Sequence, residues 1–264
     1  MRVLATLSAA LCSAALLVPG PAQAMTGRCS TILGYAHQGA PIKGSASHNS
    51  MGAFRNAFNI GLNGIETDVQ PTADGDLVMF HDRTLDRLTT GTGYVQDAST
   101  SYVQSLRLND GASRIPLYSE FLDLLVASPG RRAVIEIKSS TVWTRALYRY
   151  KLVNPIIERG LLDQVIFYDP FVRRVAQQVE ARFPQVQTAA KGWNQMSPDE
   201  LMSMVDDLVV AQRKIDKAYA DRIKALGGDV YLFAGGGGAW QVALDWKVRG
   251  VVTEDPPGLV AWCG

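Results

Sequence analysis

Along the chain, short runs dominated by apolar and β-branched residues alternate with longer stretches in which apolar residues recur every three or four positions. The short runs predict strands over residues 32–37, 64–70, 132–138, 165–168, 186–190, 208–212, 229–233 and 250–253. Helical spacing lies between them: Met51, Phe54 and Phe58; Phe121, Leu124 and Leu125; Val172, Val175 and Val179; Leu201, Met204 and Val205; Val242, Leu244 and Val248. Strand and helix units repeating in this way predict an α/β fold, a (β/α)8 TIM barrel. An open doubly wound sheet is the alternative, but no G-x-G-x-x-G turn follows the first strand.

One further apolar run, 77–81, follows the second strand after a short Asp-Gly turn, too short for a crossover helix. It is expected to return antiparallel as a hairpin and to bring His81 back to the C-terminal rim of the barrel. The polar segment that follows, about 82–116, reads as a small insertion on that rim, a lid or substrate-selecting loop.

The N-terminus sets the compartment. Arg2, an apolar run, Pro19-Gly20-Pro21 and then Ala22-Gln23-Ala24 read as a secretory signal peptide over 1–24, cleaved after Ala24; an N-terminal anchor is the alternative. Cys12 leaves with it. The remainder, 25–264, is expected to form a single barrel domain in a secreted, extracellular protein with no stable membrane anchor. In an oxidising compartment its two cysteines, Cys29 and Cys263, can form only one intramolecular bridge; two buried thiols are the other reading. A bridge would make the first and last units neighbours, as barrel closure requires.

Strand alternation also locates the charges. In Gly64-Ile65-Glu66-Thr67-Asp68-Val69 the apolar set must face the helices, so Glu66 and Asp68 point into the barrel; by the same logic Glu136 and Lys138 point inward from the 132–138 strand. Three partly buried carboxylates repel one another unless a cation joins them. An all-oxygen set suits Mg²⁺ or Ca²⁺ better than zinc; a salt-bridged core layer with Lys138 is the non-functional alternative. His37 ends the first strand and His81 the hairpin, so both reach the same rim, where imidazoles can serve as general acid and base. Asn49, between His48 and Ser50 ahead of a periodic segment, reads as a helix N-cap.

Taken in order, Ala36-His37-Gln38-Gly39, Asn49-Ser50, Ile65-Glu66-Thr67-Asp68-Val69, Ala73-Asp74-Gly75, His81-Asp82, Leu85-Asp86-Arg87, Gly91-Thr92-Gly93, Ile115-Pro116-Leu117, Glu136-Ile137-Lys138 and Thr253-Glu254-Asp255-Pro256 resemble the glycerophosphodiester phosphodiesterase family. The resemblance implies a metal-dependent phosphoric diester hydrolase acting on glycerophosphocholine or glycerophosphoethanolamine types, giving glycerol 3-phosphate and an alcohol through a cyclic phosphate. It implies the metal on Glu66, Asp68 and Glu136, His37 and His81 as the acid/base pair, and Lys138, Gln38 and Asn49 at the substrate.

Three positions depart from the family pattern. Gln38 stands where an Arg is usual, removing a bidentate phosphate contact. Ser47-His48-Asn49-Ser50 replaces Pro-Glu-Asn-Thr, keeping the Asn and losing the acid. Phe233-Ala234 runs into four glycines, 235–238, where Trp-Thr-x-Asn is expected; that loop reads either as a backbone cradle for phosphate or as a plain turn. Substrate choice is therefore open to a lipid-acting, sphingomyelinase D-like phospholipase D, and a non-catalytic phospho-ligand binder is the reading from another class. A two-carboxylate glycosidase would leave both histidines unexplained.

Composition narrows the partners. With 26 Lys and Arg against 25 Asp and Glu, the chain carries no excess charge for nucleic acid. At 47% hydrophobic and 19% charged it is neither disordered nor a many-span membrane protein. The partner expected is a small-molecule or lipid-derived phosphodiester.

Overall fold

Period-two alternation in the strands sorts the core into two shells. The computed structural model describes residues 25–169, 176–191 and 196–264; the signal peptide expected over 1–24, Val172 and Val175 lie outside them. In chain order the elements are β1 (Leu33–His37), α1 (Met51–Asn59), β2 (Gly64–Pro71), β3 (Leu77–Met79), α2 (Thr100–Ser105), α3 (Tyr118–Val126), β4 (Arg132–Ile137), α4 (Asn154–Glu158), β5 (Val165–Asp169), α5 (Ala176–Glu180), β6 (Gln187–Lys191), α6 (Pro198–Met202), β7 (Asp207–Ala211), α7 (Lys217–Ala225), β8 (Val230–Phe233), α8 (Gly237–Asp245), β9 (Gly250–Thr253) and α9 (Pro256–Cys263). A π-helical turn, Leu147–Val153, leads into α4.

The sheet runs β1-β9-β8-β7-β6-β5-β4-β2, and β1 pairs with β2 to close it; every one of these pairings is parallel. This is the eight-stranded α/β barrel expected from the alternating pattern. Outward residues such as Ile65, Val69, Ile135, Phe167, Val210 and Val251 join the helices in one large apolar cluster. Inward residues, including Leu33, Tyr35, Val134, Ile166, Val209 and Val252, form a second cluster that fills the barrel. Tyr35 and Tyr231 meet edge to face there, with ring centroids 5.7 Å apart. Gly250 makes room for them, since a Cβ on it would lie 2.9 Å from each ring.

As expected, β3 returns antiparallel on β2, with Val69 opposite Met79. The return strand stops at Met79 rather than at His81, although the Phe80 N–H still donates to the Asp68 carbonyl (3.0 Å). The insertion is ordered by an apolar cluster of its own, in which Leu85, Val95, Val103, Leu106, Leu108 and Ile115 pack on Val78 and Phe80 of the hairpin. Asp110 ties it to the β1–α1 connection by accepting from the Ser47 N–H (2.6 Å).

Other boundaries shift slightly. The helix expected to hold Met204 and Val205 ends at Met202, and Gln212 begins a 3-10 turn instead of ending β7. The N-cap of α1 is Ser50, whose hydroxyl accepts from the Ala53 N–H (3.1 Å), and not Asn49. Two of the four glycines belong to α8 rather than to a loop.

Cys29 and Cys263 are bonded, joining the turn before β1 to the end of α9. Because 234 residues separate the two, the bridge removes much conformational freedom from the unfolded chain. Replacing both cysteines by serine is expected to lower unfolding free energy by about 2–5 kcal/mol in a urea titration.

Asp207, inward at the start of β7, is buried and accepts from the Asp229 N–H and from Gln187 Nε2, both at 2.7 Å. Burial pushes its carboxyl up to about 7 against the pull of the Asp229 N–H, and the charges of Asp229 and Asp206 add to the rise. The native state therefore binds a proton that the unfolded chain has released, so stability falls as pH climbs from the ordinary Asp value towards 7. Asp207→Asn removes that titration. Its stability advantage over the parent is expected to widen by about 1–3 kcal/mol between pH 5 and pH 8, measured by denaturation at both; a pH-independent difference would contradict the assignment.

Candidate active site

Strand register assembles the site. His37 lies opposite Glu66 in the β1–β2 pairing, Asp68 opposite Glu136 in β2–β4, and Glu136 opposite Tyr168 in β4–β5. His37, Asp68, Glu136 and Tyr168 occupy the C-terminal half of their strands, the end at which barrel enzymes carry their chemistry, and the register sets Glu66 beside His37 at the end of β1. Glu66, Asp68 and Glu136 each bring a carboxylate oxygen within 4.8 Å of the other two, and all three are buried.

Such a cluster must be compensated, and the surroundings do this unevenly. Lys138 Nζ lies 2.8 Å from Asp68 Oδ1 and 2.8 Å from Glu136 Oε1. Lys191, at the end of β6, approaches the other oxygen of Glu136 at 2.8 Å. Burial opposes ionisation of Glu136, but the two ammonium groups outweigh it and hold its carboxyl low. Among the described residues Glu66 has no ammonium partner: burial and then the charge of Asp68 raise its pKa, against the opposing influence of His37 and Tyr168. The Tyr168 hydroxyl donates towards Glu66 Oε1 (2.5 Å) and Glu136 Oε2 (2.9 Å), holding the two carboxylates to a common centre.

The donor set fits a hard divalent cation. Glu66 Oε2 is a buried acceptor that no hydrogen bond satisfies among the described residues, and every candidate ligand is an oxygen. Among the described residues this is the one group of three or more His, Cys, Asp or Glu side chains close enough to share an ion.

His37 and His81 both have carboxylates beside their ring nitrogens. His37 Nδ1 is 2.6 Å from Glu254 Oε1, a charge contact without hydrogen-bond alignment, and its Nε2 is 3.5 Å from Glu66 Oε2. Burial would lower the His37 pKa; Glu66, Glu254 and Asp68 outweigh it and raise it. The His37 ring also stands edge-on to Phe233, with centroids 5.5 Å apart. His81 Nδ1 is 2.8 Å from Asp82 Oδ1, and Arg87 grips both oxygens of that carboxylate. Gln70, buried on β2, fixes the backbone around His81 by donating to the carbonyls of Phe80 (2.7 Å) and Asp82 (2.8 Å). Burial lowers the pKa of His48, with the charges of His37 and, more weakly, His81 acting in the same direction.

Asn49 has φ 54° and is buried beside the triad; its Nδ2 donates to Asp68 Oδ2 (2.8 Å) and its Oδ1 accepts from Thr67 Oγ1 (2.7 Å). It therefore orients a carboxylate. Gln38, also left-handed at φ 55°, bonds through its backbone to the Glu66 carbonyl (2.7 Å) and the Asn49 N–H (2.8 Å), which closes the β1 terminus over the site. The glycine segment rises from β8 beside Phe233, and Trp240 Nε1 pins it by donating to the Ala234 carbonyl (2.9 Å).

Sequence reasoning did not single out Tyr168, Lys191, Gln70 or Glu254. Counting inward positions along β5 and β6 would have found the first two, because Tyr168 shares its face with Ile166 and Lys191 with Ala189.

Residues 37–223 match the glycerophosphoryl diester phosphodiesterase family. Among curated relatives, a glycerophosphodiester phosphodiesterase of Bacillus altitudinis is 36% identical over 137 residues, 50% of this chain and 51% of that protein. The chain spans about half the length of the curated relatives it matches. A glycerophosphodiester phosphodiesterase from Agrobacterium tumefaciens shares the fold at TM-score 0.75 and 20% identity, over 88% of this chain and 98% of the other. A phosphodiesterase of Oleispira antarctica in complex with the product sn-glycerol-3-phosphate does so at TM-score 0.72 and 19% identity, over 87% and 96%. The family match covers most of the barrel and every residue of the triad, and on that basis the chain belongs to the glycerophosphoryl diester phosphodiesterase family.

Proposed function

We propose that this chain is a divalent-metal-dependent phosphodiesterase that splits glycerophosphodiesters into glycerol 3-phosphate and an alcohol. The observation that carries the reading is a buried, all-oxygen triad at the barrel mouth with carboxylate-held histidines beside it. The product bound to the Oleispira antarctica protein supports a glycerol phosphate product here.

Glu66, Asp68 and Glu136 would hold Mg²⁺ or Ca²⁺, which supplies Lewis-acid polarisation of a phosphoryl oxygen when bound. One imidazole of the His37/His81 pair takes the proton from the substrate's neighbouring hydroxyl as that oxygen bonds to phosphorus. The other donates a proton to the departing alcohol oxygen as its bond to phosphorus breaks. Water then opens the cyclic phosphate with the two roles reversed. An intramolecular nucleophile has already lost its translational freedom, which favours this route over direct attack by water. Asp82 holds the His81 ring in orientation, Glu254 lies as a counter-charge beside His37, and Lys138 adds positive charge where the phosphoryl oxygens gather it. The Cys29–Cys263 bond supports export to an oxidising compartment, as the N-terminal segment suggests.

His37→Ala and His81→Ala are each expected to lower kcat/KM on glycerophosphocholine or glycerophosphoethanolamine by about 10²- to 10⁴-fold. Chelation should stop turnover, and added Mg²⁺ or Ca²⁺ should restore it. Full activity in either variant would refute the acid/base assignment. Metal-dependent binding without turnover would make the chain a phospho-ligand binder, and preference for lysophospholipid or sphingomyelin a lipid-acting enzyme. Tyr168→Phe, which removes the hydroxyl shared by Glu66 and Glu136, is expected to weaken divalent-metal affinity by about 10-fold in a calorimetric titration.

A further inference from the structure

Two lysines face the triad, and they are not equivalent. Lys138 lies deep, with a side chain only 12% exposed and two carboxylates, Asp68 and Glu136, around its ammonium. Lys191 lies outside it: its side chain is 40% exposed, its carboxylate partner among the described residues is Glu136, and its Nζ passes 5.7 Å from the centre of the Tyr168 ring. An anion entering from solvent meets the outer ammonium first, and only one ion pair must be exchanged to free it.

Formal charge assigns the same role. Three carboxylates and Lys138 leave the site at −2, so a divalent cation brings it only to zero, with no net attraction for a diester monoanion. Lys191 makes the loaded site +1. The position after His37, from which a cation could have reached phosphate, is the neutral Gln38. Among the described residues, the lysines in ion pairs with the triad are Lys138 and Lys191.

We propose that Lys191 is the phosphate-binding cation of this chain: as a phosphodiester enters the mouth, its ammonium exchanges Glu136 for a non-bridging phosphoryl oxygen. The ring of Tyr168 guides the stem between these two positions, and Glu136 is released to its ligand role. This inference rests on the phosphodiester reading of the site.

The test uses the full chain loaded with Ca²⁺, with Lys191→Met and Lys191→Arg as variants. Calorimetry with inorganic phosphate and with sn-glycerol 3-phosphate is expected to show a loss of affinity of about 10- to 100-fold in Lys191→Met and near-parental affinity in Lys191→Arg. KM for glycerophosphoethanolamine should rise by a similar factor while kcat changes little. Titration with Ca²⁺ alone should show affinity equal to the parent's or tighter in Lys191→Met, because an ammonium no longer competes for Glu136. Phosphate affinity within twofold of the parent in Lys191→Met would overturn the proposal. So would an equal loss of Ca²⁺ affinity in both variants, which would mark Lys191 as a structural prop. A parent protein that binds phosphate but hydrolyses no diester would defeat the hydrolase reading alone, since the binding comparison stands without turnover.

Discussion

Three carboxylates within 4.8 Å of one another in a buried layer are the constraint around which the upper half of this barrel is organised. Like charges so close in a poorly solvated setting cannot all ionise unaided. Each neighbour answers part of that problem. Lys138 and Lys191 neutralise Glu136 and Asp68, Tyr168 bridges Glu66 and Glu136, Asn49 holds Asp68, and His37 stands beside Glu66. The result is uneven, with Glu136 held ionised and Glu66 pushed towards its neutral form. Fold and chemistry meet here, because the same strand register that closes the barrel sets these groups side by side.

Much of this could be read from the sequence, for a definite reason. Strand alternation is strict in Gly64-Ile65-Glu66-Thr67-Asp68-Val69 and in Val134-Ile135-Glu136-Ile137, so the inward charges stand out against outward isoleucines and valines. The hairpin followed from chain length alone, since so few residues cannot cross a sheet. What escaped notice lacked such contrast. Tyr168 sits in an apolar strand where an inward tyrosine reads as ordinary core, and Lys191 ends a strand made of small residues. Helix α9 begins Pro-Pro-Gly and is apolar on most faces, so no periodic stripe announces it. Helix α7 buries only Ala220 and Ile223 and carries four charged residues among its other positions. The Asn49 cap failed because the adjacent Ser50 caps equally well, which frees Asn49 to reach Asp68.

The two ends of the barrel serve different ends. At the C-terminal mouth, polar groups are paired in ways that an incoming cation or anion can exchange. At the opposite end, Asp207 is enclosed between Gln187 and the Asp229 backbone, and the Tyr35 and Tyr231 hydroxyls are buried with no hydrogen-bond partner among the described residues. The insertion after β3 belongs to the mouth, and its own apolar cluster lets it stand as a wall there while Asp110 anchors it to the β1–α1 connection.

The Cys29–Cys263 bond also changes the topology of the covalent chain. Residues 29 to 263 form a closed ring, so a single backbone cut anywhere within it, including in the exposed parts of the 83–116 wall, opens the ring without releasing a fragment. A nicked molecule keeps all eight barrel strands tethered at the β1–β9 seam. Damage by a protease then becomes a local event until a second cut, or reduction of the bond, separates the pieces.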